Sequence, residues 1–113
     1  MLKVQAIVRE ERLEAVVERL LLLRVRGLTI TPVRGAGESG PHRAFFRGGA
    51  YEVPFVSKVQ IEWYGPDDEA DAIVRAIARA GATGAPGDGN VFVGPVEEAV
   101  RIRTGERGED AVV

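Results

Sequence analysis

Twice in this chain an alternating, strand-like stretch gives way to a helical one and then to another strand. This duplication constrains the fold more than any single residue does. In "MLKVQAIVR", Leu2, Val4, Ala6 and Val8 fall on one side and Lys3, Gln5, Ile7 and Arg9 on the other, the period-2 pattern of a strand. "EERLEAVVERLLLLRVRG" then spaces Leu13, Val16, Val17, Leu20 and Leu23 at helical intervals, with acids early, arginines late and Gly27 as the expected stop. "LTITPVRG" supplies β-branched residues for a second strand, and its Pro32 requires an edge or a bulge, where no ladder donor is needed. The second round begins with the strand "FVSKVQIEWYG". Pro66-Asp67-Asp68 opens a helix with acids at its positive end, Ala70, Ile73, Val74 and Ile77 form its apolar stripe, and Gly81 closes it. "VFVGPV" is the last strand, followed by "EEAVRIRTG" and the polar tail "ERGEDAVV". Between the rounds, "GAGESGPHRAFFRGGAYEVP" breaks the pattern with glycines and prolines and is too long for a tight hairpin. A loop of that length in a small domain is functional or mobile.

Two βαβ halves of about 50 residues each predict a ferredoxin-like α+β sandwich, βαββαβ, with an antiparallel sheet and two helices on one of its faces. A length of 113 residues suits a single domain over the whole chain. The other face is expected to carry Ile7, Val59, Ile61 and Trp63, which need a cover, and a symmetric oligomer is the simplest one. The formal net charge of −2 argues against a duplex nucleic-acid partner, and the aromatic signature of the common RNA-binding sandwich is absent. With no cysteine and a single histidine, His42, neither a disulfide nor a thiolate or histidine metal cluster is expected. No nucleophile–base pair marks an enzyme. The charged N-terminus does not read as a signal peptide, and the apolar run Leu20 to Leu23 is too short to span a bilayer. A cytoplasmic protein is expected, reaching a membrane only through a protein partner.

Two features carry candidate chemistry. "TGAPGDGN", residues 83 to 90, holds Gly84, Gly87 and Gly89 between a helix and a strand. It is either a helix cap and turn or a cradle whose backbone N–H groups approach an anion. No Gly-Lys-Ser/Thr follows, so it is not a Walker loop. Downstream, Arg101 and Arg103 are two residues apart. On an extended segment they would project to the same side about 7 Å apart. They are either a solvated basic edge facing Glu97, Glu98 and Glu106 or a grip for successive phosphates.

The stretches "GLTITPVRGAG", "FFRGGAYEVPFVSKVQIE", "PDDEADAIVRAI" and "ATGAPGDGNVFVGPVEEAVRIRTGERGEDAVV" resemble the PII signal transduction proteins over essentially the full length. The resemblance implies a non-enzymatic homotrimeric regulator of nitrogen and carbon metabolism that binds ATP or ADP in clefts between subunits. It marks residues 37–54 as the T-loop that docks target proteins, 83–90 as the B-loop and 101–113 as the C-loop. Ile7, Thr29, Gly35, Ala36, Gly37, Glu38, Glu62 and Tyr64 would surround the adenine, ribose and neighbouring phosphates. Gly87, Asp88, Gly89 and Asn90 would meet the phosphates, with Arg101 and Arg103 reaching in from the adjacent subunit. A hydroxyl such as that of Thr29 can read adenine's donor and acceptor edge. Glu62 is either an acceptor for ribose hydroxyls or a strand carboxylate paired with an arginine.

The departures from the family pattern are at least as informative. Ser39 stands where a glutamine helps to hold the magnesium that bridges ATP and 2-oxoglutarate. Asn90 replaces a lysine aimed at the terminal phosphates, and Glu38 replaces an arginine. All three changes disfavour a polyanionic Mg–ATP–oxoglutarate complex and point toward ADP or AMP. Lys58, which pairs with the oxoglutarate carboxylate in the family, is kept; it would serve that anion, another such as bicarbonate, or none. Tyr51 occupies the position that some bacterial members uridylylate, but in the context "FFRGGAY" rather than "LYRGAEY". Phe45, Phe46 and Arg47 have the character of partner-contact anchors. These departures also admit a divergent regulator, insensitive to 2-oxoglutarate, acting on an inorganic-carbon or metal transporter.

Overall fold

The alternation in the first strand places it at the centre of the molecule. The computed structural model describes residues 1–36, 42–46, 49–53 and 55–112, with 42–46 and 49–53 described by their backbone alone. β1 (Leu2–Arg9) leads through a 3-10 turn into α1 (Leu13–Leu22), then β2 (Thr29–Gly35). β3 (His42–Phe46) and β4 (Gly49–Val53) follow, then β5 (Val56–Gly65), α2 (Asp67–Gly81) and β6 (Gly89–Pro95). A four-stranded sheet runs β2-β5-β1-β6, with every neighbouring pair antiparallel. With the β3–β4 pair set aside, this is the strand order and βαββαβ succession of the expected ferredoxin-like α+β fold. β2 is an edge strand, so Pro32, opposite Val59, leaves no ladder donor missing.

Register decides which side of the sheet is the core. β5 pairs with β1 so that Trp63 faces Val4, Ile61 faces Ala6 and Val59 faces Val8, which puts all six side chains on one side. They are buried there beneath Val16 and Leu20 of α1 and Ala70, Ile73, Ala76 and Ile77 of α2. Each fully buried aliphatic side chain here, Leu20, Ile61 and Ile77 among them, contributes about 1.5–3 kcal/mol relative to exposure. The expectation that Val59, Ile61 and Trp63 share the uncovered face with Ile7 is therefore corrected. The period of β5 was legible, but which half of it meets the helices depends on its pairing with β1. The uncovered face instead carries Ile7, Gln5, Lys58, Gln60, Glu62, Tyr64, Thr29, Asn90 and Phe92. It is largely polar, and Gln5 donates to Gln60 at 3.3 Å while Gln60 donates to Glu62 at 2.6 Å.

Three local features differ from the sequence reading. α1 ends at Leu22, well before Gly27, and its last fully buried side chain is Leu20. The residue that turns the chain left-handed is Arg24, at φ 60°. The segment read as a long loop contains the two-stranded β3–β4 ribbon, with His42 opposite Val53 and Phe46 opposite Gly49. These strands pair with each other outside the main sheet. Finally, the segment around Arg101 and Arg103 is a turn rather than extended chain. Arg101 and Glu106 share a backbone hydrogen bond, Gly105 N–H closes onto the Arg101 carbonyl at 2.8 Å, and Val100 pairs with Arg107. Among the described residues no helix is long and apolar enough to cross a membrane.

Candidate functional site

β6 begins where the glycine loop delivers it beside β1, with Gly89 opposite Val8 and Asn90 opposite Ile7. Gly89 has φ 100°, and a Cβ there would lie 1.8 Å from the Ile7 carbonyl oxygen. Close strand packing alone therefore demands this glycine. The loop before it is organised by Asp88. Its carboxylate accepts from Arg9 Nε at 2.9 Å and from the N–H groups of Thr83 and Gly84 at 2.8 and 3.0 Å. The Thr83 hydroxyl also donates to it, and Arg9 Nη2 donates to the Pro86 carbonyl at 2.7 Å. The Thr83 hydroxyl and then Arg9 hold the Asp88 carboxyl far below the ordinary carboxylate range. Lys58 is buried beneath the loop, and its Nζ donates to the Gly87 carbonyl. A cavity of about 510 Å³ opens here, lined by Ile7, Gly35, Ala36, Lys58 and residues 85–90.

A second cavity, of about 340 Å³, lies toward the other end of the uncovered face. Thr29, Glu62, Tyr64 and Arg101 line it together with residues 26–28 and the terminal Ala111 and Val112. Thr29 and Glu62 are direct cross-strand neighbours. The Tyr64 hydroxyl donates to Glu62 Oε2 at 2.5 Å and Gln60 donates to Oε1, so the Glu62 carboxyl is held below its ordinary range, by Tyr64 first. The same bond raises the Tyr64 phenol above its ordinary range. Glu62 is thus an ionised, pre-oriented acceptor. Its partners are Tyr64 and Gln60 rather than the arginine offered as one reading. Arg101 Nη1 lies 3.0 Å from Glu106 Oε1, and Arg107 pairs with Glu98, so part of the expected basic edge facing acids is realised.

The expected site residues fall into two groups. Ile7, Gly35, Ala36, Gly87, Asp88, Gly89 and Asn90, with Lys58, line the first cavity. Thr29, Glu62, Tyr64 and Arg101 line the second. Arg103 is exposed and lines neither. Gly37, Glu38, Ser39 and Arg47 lie outside the described residues, as do the side chains of Phe45, Phe46 and Tyr51. Arg9 and Thr83, which shape the first cavity through Asp88, were not anticipated. Nothing local to Arg9 signals a bond to a carboxylate 79 positions away.

The sequence model of the family described as nitrogen regulatory protein P-II matches residues 1–106 of this chain. The chain belongs to the P-II family. It is 47% identical to the nitrogen regulatory protein P-II of Cereibacter sphaeroides over 112 residues, 99% of this chain and 100% of that protein. Over the same shares, identity is 43% to the P-II protein of Haemophilus influenzae and 42% to that of Rhizobium meliloti (strain 1021). As a P-II protein it is a signalling regulator concerned with nitrogen.

Proposed function

We propose that this P-II protein assembles as a homotrimer and binds an adenine nucleotide in each cleft between copies. Nucleotide occupancy would set the conformation of segment 37–54, which controls a target protein. The observation that carries this reading is the division of the site residues between two cavities on one chain. The phosphate-type half-site, a glycine loop over Lys58, and the base- and ribose-type half-site, Thr29 with Glu62 and Tyr64, lie at different ends of the same face. Lys58 and Glu62 are separated along β5 by about 13 Å. Apposing two copies would complete each cleft, bring Arg101 and Arg103 of one toward the glycine loop of the other, and cover Ile7 and Phe92. Ligands that favour one state of the segment over another are sufficient to make it a switch.

The charges favour ADP or AMP over Mg–ATP. Lys58 is the only cationic side chain lining the first cavity among the described residues, and it is directed at the Gly87 carbonyl; Asn90 is neutral. With Ser39 and Glu38 nearby in sequence, 2-oxoglutarate would couple weakly or not at all, leaving room for a smaller anion such as bicarbonate. The target would be an enzyme of nitrogen metabolism or a membrane transporter, reached without catalysis by this chain. The test is calorimetric titration with ATP, ADP and AMP plus magnesium, with and without 2-oxoglutarate or bicarbonate, alongside sedimentation. We expect a trimer mass, one nucleotide per chain and tighter ADP or AMP than ATP. A monomer, or no nucleotide binding, overturns the cleft; 2-oxoglutarate tightening ATP overturns the charge argument; sustained ATP turnover overturns the non-catalytic reading.

A further inference from the structure

On the side of the sheet away from both cavities, the end of α1 carries three consecutive exposed leucines. Leu21 is 60% exposed, Leu22 72% and Leu23 44%. The buried core of α1 ends at Leu20 and these side chains lie outside it, and an exposed run of this kind marks a contact surface. Leu22 borders a groove of about 420 Å³ between α1 and α2, whose other lining residues are Ala15, Glu18, Arg19, Arg79 and Ala80.

Cations outnumber acids around this patch, although Glu18 also lines the groove. Arg19 and Arg79 flank the groove and Arg24 follows the leucines, and among the described residues none of the three enters an ion pair. In a chain of net charge −2, these three arginines outnumber Glu14 and Glu18 on the same surface. Arg24 also sits at φ 60° immediately past the helix, where glycine is the residue without steric cost. A long cationic side chain is held in that conformation beside the leucines.

We propose that this α1–α2 seam docks an acidic amphipathic segment of a partner protein. Its apolar side chains would rest on Leu21 and Leu22 and enter the groove, while its carboxylates meet Arg19, Arg24 and Arg79, the helix-in-groove mode of recognition. A concave groove accepts inserted side chains, whereas a bilayer calls for a projecting surface. A second copy meeting this surface through a two-fold axis would set the same arginines against each other. The surface is separate from both cavities, so it stands whether or not the nucleotide reading does.

The test is selection of short random peptides displayed on phage against the full chain, followed by fluorescence anisotropy with the selected peptides as synthetic probes. Selected sequences should combine Asp or Glu with Leu, Phe or Trp at helical spacing, and binding should weaken as salt rises. Leu22→Ser and Arg79→Gln, both at exposed positions and expected to melt like the parent, should each weaken binding by about tenfold or more. Lys58→Ala, in the first cavity, should leave it unchanged. Selection of basic or uncharged peptides, or binding indifferent to Leu22→Ser and Arg79→Gln, overturns the proposal. So does sedimentation of the chain with phosphatidylglycerol–phosphatidylcholine vesicles, or self-association, if either is abolished by Leu22→Ser.

Discussion

Replacing Gly89 with alanine tests the argument that packing, before any ligand, requires a glycine at the start of β6. The methyl group would sit 1.8 Å from the Ile7 carbonyl oxygen, a backbone atom, where real Cβ contacts stay beyond 3.0 Å. Relief requires β6 to withdraw from β1 by roughly 1 Å or more, weakening the pairing of Gly89 with Val8 and of Asn90 with Ile7. The left-handed φ of 100° adds about 1–2 kcal/mol for a residue with a Cβ. Overpacking of this kind adds about 1–3 kcal/mol. Gly89→Ala should therefore lose about 2–5 kcal/mol, a fall in melting temperature of roughly 8–20 °C for a domain of this size. Gly84→Ala is the control within the same loop. Its φ is 86° but nothing lies within 4 Å of the added methyl. Strain there is partly offset by the stiffer unfolded chain, so the loss should be about 1 kcal/mol. Both variants would be melted without nucleotide and at one protein concentration, since assembly makes midpoints concentration-dependent. If Gly89→Ala melts within a few degrees of Gly84→Ala, the packing argument fails. Gly89 would then be kept for ligand approach alone, and the variant should fold normally yet lose nucleotide.

Asp88→Asn should flatten the acid limb of stability. The folded-state carboxyl is held far below its ordinary value of about 4, so its contribution is complete above that value and lost as pH falls toward the depressed one. Urea midpoints measured from neutral pH downward should fall less steeply in the variant, and an unchanged slope would refute the role given to Arg9 and Thr83. The Met1 ammonium lies 2.8 Å from Asp67, and this raises its pKa. Its contribution is present below about pH 8 and lost as pH rises through the elevated value, so Asp67→Asn should remove an alkaline decline in midpoint that the parent shows. Asn90→Lys combined with Ser39→Gln should tighten Mg–ATP by about tenfold and create coupling to 2-oxoglutarate, read by calorimetry. Binding like that of the parent would refute the charge argument. Arg103→Ala should weaken nucleotide binding while sedimentation still shows a trimer; loss of the trimer would make the arginine structural.

Much of the fold was legible because its signals are local. The alternation of Leu2 to Arg9, the stripe Ala70, Ile73 and Ile77, and Pro32 as the mark of an edge or a bulge all follow from one segment at a time. The glycine loop and the strand after it carried enough of the P-II pattern to mark candidate site residues, and the structure gathers most of the described ones around two cavities. The sequence alone could not assign the face of β5. Val59, Ile61 and Trp63 alternate with Lys58, Gln60 and Glu62 whichever set is buried, and only register against Val4, Ala6 and Val8 selects one.

What the sequence by itself determined, then, is the succession of elements apart from the β3–β4 ribbon, the family, and which residues bear the candidate chemistry, since period, punctuation and motif are written along the chain. Tertiary structure alone decided the rest. It turned the segment of Arg101 and Arg103, because Val100 meets Arg107 and Glu106 bonds back to Arg101. It joined Arg9 to Asp88 across 79 positions, and it made Gly89 a packing requirement against the Ile7 carbonyl. Each of these depends on two distant segments meeting at a definite distance, and no periodicity within either segment encodes that distance.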